Sequence, residues 1–179
     1  TERTGDEAQI NFYHNTRDLE KIDVDDKEVE LKSIKGIKFW NDKVFSYTPI
    51  QKNTGAHTSA DDPIYDALNA QVGLYVETHS HNSMGAFASG EDLSNSKNDA
   101  IQLVFGKLNT DNIEMHTWAT VREVTLETLL EEEVGLYIDL PEHTIDEKGK
   151  YVFDKNMVED FKYDDSLIDE WDKQVKVIK

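Results

Sequence analysis

Cysteine is absent from this 179-residue chain, so there can be no disulfide framework and no thiolate metal site. Any metal would have to be held by histidine and carboxylate, and the lack of cysteine suits an intracellular, cytoplasmic protein. No apolar run approaches the length of a membrane-spanning helix, and the opening Thr1-Glu2-Arg3-Thr4-Gly5-Asp6 does not read as a secretory signal. No membrane association is expected. Residues upstream of Thr1 are expected, because the chain does not open on methionine. Basic residues are scarce as well: 19 Lys and Arg stand against 37 Asp and Glu, a formal charge of -18. Such a surface repels nucleic-acid backbones and favours neutral or basic partners. Internal repeats and low-complexity linkers are missing too, and the length suits one domain with a sizeable core.

What is present reads as short strands with few helices. Glu7 to His14 has the alternation of a strand, with Ala8, Ile10 and Phe12 or Tyr13 inward. Glu28 to Ile34 alternates like an exposed edge strand, with Val29 and Leu31 on one face. Two strands, Ile34 to Trp40 and Val44 to Tyr47, flank a turn at Asn41-Asp42. Lys52 to Asp62 is polar and reads as a loop, with His57 as a loop histidine that could touch substrate or metal. Pro63 to Ala70 predicts a helix with proline in its first turn, followed by a buried strand from Val72 to Thr78. Asp99 to Gly106 and Ile113 to Arg122 predict antiparallel neighbours, with His116 a sheet residue. Thr125 is placed to cap a helix over Leu126 to Glu133, and Leu136 to Leu140 reads as one more strand. The last part holds a turn at Glu147-Lys148-Gly149-Lys150. After it a helix is expected from Ser166, with Leu167, Ile168, Trp171, Val175 and Ile178 on one stripe. The expected division is a domain over 1–140 and an extension over 141–179 that covers the core or serves a partner.

Chemistry concentrates in the stretch from Glu77 to Asp92. His79 and His81 lie two apart at a strand end, where side chains repeat with period two, so both imidazoles can grip one ion. Asp92 can supply a third, oxygen ligand. Two imidazoles and a carboxylate leave a tetrahedral zinc one open position, which marks a catalytic rather than a structural site. The competing explanation is a capping box, in which Ser89 and Asp92 cap a helix starting at Gly90 and the histidines are ordinary surface residues. Met84 and Phe87 read as packing residues, and Glu77 as a residue behind the ligands or in solvent.

The pattern His79-x-His81, seven residues, Ser89, two residues, Asp92 resembles the signature of the JAB/MPN/JAMM metalloprotease family. Many members carry proline after the second histidine, where this chain has Asn82. The resemblance implies one Zn2+ held by His79, His81 and Asp92, with Ser89 steadying an oxyanion and an upstream glutamate as general base. Glu7, which opens an early strand as the family's base commonly does, is favoured for that role over Glu28 and Glu30. The implied fold is α/β (α+β): a mixed, largely antiparallel sheet flanked by helices, in the layered arrangement shared with cytidine deaminases. The implied activity is hydrolysis of peptide or isopeptide bonds, with a peptide or ubiquitin-like protein as substrate. An acidic interaction module that keeps the fold but lacks a working base is the alternative.

Overall fold

A computed structural model describes residues 7–54, 57–95, 99–121, 124–126, 143–154, 173 and 175–177. In chain order the strands begin with β1 (Gln9–His14), β2 (Lys21–Val24), β3 (Lys27–Glu30), β4 (Ile37–Phe39) and β5 (Val44–Tyr47). A hairpin of β6 (Gln51–Thr54) and β7 (His57–Ala60) precedes helix α1 (Pro63–Gln71). Then come β8 (Leu74–Ser80), helix α2 (Gly90–Asn95), β9 (Ala100–Gly106), β10 (Asn112–Val121) and β11 (Val124–Leu126). The last strands are β12 (His143–Ile145), β13 (Tyr151–Asp154) and β14 (Val175–Val177). Among the described residues there are two α-helices, and neither is long and apolar enough to cross a membrane.

Nine strands form one mixed sheet in the order β12-β13-β10-β9-β8-β1-β5-β4, with β11 on β10. Its pairs are antiparallel except β8 with β9, which run parallel and are joined through α2. A parallel pair cannot be closed by a tight turn, so the crossover carries a loop and a helix over the carboxyl end of β8. The class is therefore mixed α/β with a large sheet and few helices, in line with the α+β expectation.

Local chemistry explains α1. Asp62 caps it, its Oδ1 accepting from the Ile64 amide at 2.9 Å, and Pro63 opens the first turn with a preset φ. Beyond it, Gly73 takes φ +96°, open to glycine at little cost, and turns the chain into β8. Ala67 and Leu68 face a core of Tyr13, Phe45, Tyr47 and Leu74, while Val76, Leu103, Met115, Tyr151 and Phe153 form a second cluster.

Several expectations are corrected. The stretch read as a polar loop from Lys52 contains the β6–β7 hairpin, a pairing set by backbone hydrogen bonds rather than apolar alternation. The strand expected over Glu28 to Ile34 ends at Glu30, because Leu31 and Ile34 both reach the core at a spacing of three and the chain between them winds as a 3-10 turn. Thr125 lies in β11 instead of capping a helix; the rest of that helix and the strand at Leu136 to Leu140 fall outside the described residues. Val175, expected on a helical stripe, lies in β14, parallel to β6, while Ser166, Leu167, Ile168, Trp171 and Ile178 fall outside the described residues. β12 and β13, from the segment expected as an extension, belong to the main sheet.

Candidate metal centre

The centre forms where β8 ends beside the start of β1. The strand expected over Val72 to Thr78 runs instead from Leu74 to Ser80, because Val72 closes α1 and Gly73 makes the turn, so His79 is inside it. His79 pairs with Gln9 of β1 and with Val104 of β9. The Ser80 amide donates to the Ala8 carbonyl at 3.0 Å, and the Ala8 amide donates to Ser80 Oγ at 3.1 Å, so the β1–β8 register continues beyond the strand. Period two then brings His79 and His81 to one side.

Asp92 arrives from α2 over the crossover. The capping box and the ligand cluster coexist here. The Asp92 amide donates to Ser89 Oγ at 3.1 Å and the Ser89 amide donates to Asp92 Oδ2 at 2.7 Å. That reciprocal pair fixes the carboxylate, whose Oδ1 lies 3.3 Å from His79 Nε2 and whose Oδ2 lies 3.7 Å from His81 Nε2. The two Nε2 atoms are 3.3 Å apart. A tetrahedral ion with bonds of about 2.0–2.1 Å sets its ligands roughly 3.3–3.4 Å apart, a spacing that the two Nε2 atoms match and that the Asp92 carboxylate approaches with one oxygen toward each histidine. The donor set is close enough to hold one metal ion.

The Nδ1 contact of His81 fits as well. His81 Nδ1 lies 3.3 Å from the Gly85 carbonyl, which accepts only if Nδ1 carries the proton; Nε2 then presents its lone pair to the centre. Burial lowers the His81 pKa, but the Asp92 carboxylate, the Gly85 carbonyl and the charge of Glu7 outweigh it and leave the pKa raised, so the metal-free ring favours a second proton on Nε2 that an arriving cation must displace. Burial raises that of Asp92, yet His79, His81 and the Ser89 contacts prevail and hold its carboxyl well below the usual range.

Glu7 is buried, and the register that pairs Gln9 with His79 continues to put it across from His81, within electrostatic reach of that ring. Glu28 and Glu30 instead lie in β3 of the separate β2–β3 hairpin, where Glu28 is exposed and pairs with Lys21 at 3.2 Å. The backbone of His57 lies in β7 opposite Thr54, and His116 is a β10 residue beside Trp118. Met84 and Phe87, expected to pack inward, are 39% and 44% exposed, and the Phe87 ring stands edge-on to His81 with centroids 4.7 Å apart. Asn82 takes φ +47°, a conformation closed to proline, so the loop after the second histidine departs here from the family's proline geometry.

Further residues complete the surroundings, among them Glu77, expected behind the ligands or in solvent. Glu77 is not solvated: its carboxylate accepts from Gln9 Nε2 at 2.8 Å and from Gln102 Nε2 at 3.1 Å, and burial raises its pKa. Gly106 lets the 84–86 backbone lie against the end of β9, since a Cβ there would meet the Ala86 nitrogen at 2.3 Å. No family model matches the chain, and no curated protein matches it either.

Proposed function

We propose that the chain is a zinc-dependent hydrolase of peptide or isopeptide bonds, built on a JAB/MPN-like centre of His79, His81 and Asp92. The observation that carries this reading is the convergence of two imidazole nitrogens and one carboxylate within 3.3–3.7 Å of one another, with a buried glutamate, Glu7, across the strands. Two nitrogens and one oxygen suit zinc and leave an open position, as catalytic rather than structural sites do.

When bound, zinc would supply Lewis acidity toward the scissile carbonyl and the means to ionise water near neutral pH. The Glu7 carboxylate would accept a proton from the attacking water and return it to the departing amine. Ser89, anchored by its reciprocal contacts with Asp92, would turn its hydroxyl toward the developing oxyanion. His81, kept as the Nδ1–H tautomer by the Gly85 carbonyl, would hold its lone pair on the centre throughout. The net charge of -18 favours neutral or basic peptide or ubiquitin-like substrates.

The test is hydrolysis of a peptide library and of ubiquitin-like conjugates, with and without chelator, by the wild type, Glu7→Gln and His79→Ala. Glu7→Gln should keep the metal and lose about two to four orders of magnitude in rate, since glutamine keeps the shape without the basicity. His79→Ala should lose metal and rate together. A metal-loaded wild type that cleaves nothing would overturn the enzyme reading in favour of an acidic interaction module.

A further inference from the structure

We infer that Glu114 is a positioning residue for the metal centre, aiming the 85–86 peptide so that the Gly85 carbonyl fixes the ring of His81. The inference rests on the metal-site reading above for its purpose but on separate contacts for its geometry. Glu114 lies in β10, is buried at 7% exposure, and faces the loop between β8 and α2. Its carboxylate accepts from Lys107 Nζ at 2.6 Å, from Lys150 Nζ at 3.1 Å and from the Ala86 amide at 3.0 Å. A carboxylate taken out of water needs such partners, and two lysines with one amide provide them.

The Ala86 amide and the Gly85 carbonyl belong to one peptide unit. In a planar trans peptide the N–H and C=O point in opposite directions, so a carboxylate that captures the N–H aims the carbonyl the other way. That way lies His81, whose Nδ1 is 3.3 Å from the Gly85 oxygen. The proton held on Nδ1 leaves the Nε2 lone pair facing His79 and Asp92, the arrangement a metal-ligating histidine takes from a backbone acceptor. A continuous relay of contacts therefore runs from Lys107 and Lys150 through Glu114 and one peptide plane to His81.

Two glycines make the approach possible. A Cβ on Gly85 would come within 3.0 Å of Glu114 Oε2 and 3.5 Å of Lys150 Nζ. On Gly106 it would meet the Ala86 nitrogen at 2.3 Å, and the Gly85 carbonyl carbon and Met84 oxygen each at 2.5 Å, all of them backbone atoms. The loop is also tied to the end of β9 by the Lys107 amide on the Met84 carbonyl at 2.7 Å and the Leu108 amide on the Asn82 carbonyl at 2.8 Å. These ties hold the loop down, and Glu114 sets how the 85–86 peptide is turned.

The test reads the His81 tautomer by 15N NMR in metal-stripped protein, at a pH where the ring is neutral, and Zn2+ affinity by competition with a chromophoric chelator. Wild type should show His81 as the Nδ1–H tautomer. Glu114→Ala should give mixed tautomers and an affinity lower by about 10–100-fold, the usual cost of removing a group that orients a metal ligand. Glu114→Gln keeps an acceptor for the Ala86 amide and should restore the tautomer and most of the affinity. Gly106→Ala, whose Cβ would push on the same peptide from the neighbouring strand, should reproduce the loss and stands in if Glu114→Ala does not fold. Wild-type tautomer and affinity in Glu114→Ala, or in Gly106→Ala in its place, would overturn the inference. A wild type that binds no metal, but whose His81 tautomer still follows Glu114, would sink the metal reading and leave the positioning role standing.

Discussion

One oxygen of Asp92 accepts from the Ser89 amide while the other lies 3.3 Å from His79, so helix capping orients a candidate ligand. The Ser89-x-x-Asp92 spacing in the sequence admits either a cap or a carboxylate converging on the histidines, and the fold has both. His79, His81 and Asp92 were legible because period two and a short helix fix where they point. Glu114, Gly106, Gln9 and Gln102 were not, because their roles come from strand pairing across the sheet and a lone glutamate or glycine in a strand has no local signature. The ionisation of Glu114 is testable by itself. Burial pushes its pKa up, but Lys107, Lys150 and the Ala86 amide outweigh this and bring it from 4.5 down to about 2. A carboxyl depressed on folding stabilises the protein above its unfolded pKa and loses that contribution as pH falls through its folded pKa. The stability gap between wild type and Glu114→Gln, measured by denaturant unfolding of metal-free protein, should therefore shrink as pH drops from about 4.5 to about 2. A gap that stays constant across that range would mean the carboxylate has no such partners in solution.

Among the elements, α1 was legible to within a residue, since proline in the first turn marks its start, and the structure adds Asp62 as its cap. The β6–β7 hairpin was hidden by its polar composition, and the 3-10 turn at Leu31–Ser33 by a continuing apolar count that two-residue alternation cannot distinguish from a strand. β11 stands where a capping threonine predicted a helix, an override of local propensity by pairing with β10. Asp62 offers the sharpest element-level test, because beyond capping α1 its Oδ2 accepts from the Tyr47 hydroxyl at 2.6 Å and the Ile50 amide at 2.8 Å. Asp62→Ala should remove a cap worth about 1 kcal/mol and strand buried donors worth about 1–3 kcal/mol, for a loss on the order of 2–4 kcal/mol in unfolding free energy. Asp62→Asn, which keeps an acceptor oxygen for the cap, should lose less. Equal losses in the two variants would argue against the shared-acceptor arrangement.

For the whole molecule, the α+β class was legible from a run of short strands interrupted by a few helical segments, but the strand order was not. Parallel pairing of β8 with β9 and the return of β13 onto β10 are long-range choices that no local window encodes. The return of β13 ties the segment after residue 140 to the rest: Tyr151 and Phe153 join Val76, Leu103 and Met115 in one cluster, and Lys150 reaches Glu114. Deleting residues 141–179 should lower the melting temperature and promote self-association, because it bares the β10 edge over 112–115 and opens that cluster to water. A truncated protein that melts like the full chain and stays monomeric in light scattering would show that segment to be dispensable. The chemistry of the molecule turns on whether the three converged side chains bind metal together. Calorimetric titration of the metal-stripped chain with Zn2+ tests this most directly, set beside His79→Ala, His81→Ala and Asp92→Ala. Wild type should bind one equivalent and each variant should lose most of that affinity; no uptake by wild type, or uptake undiminished in all three variants, would show that these side chains form no metal centre.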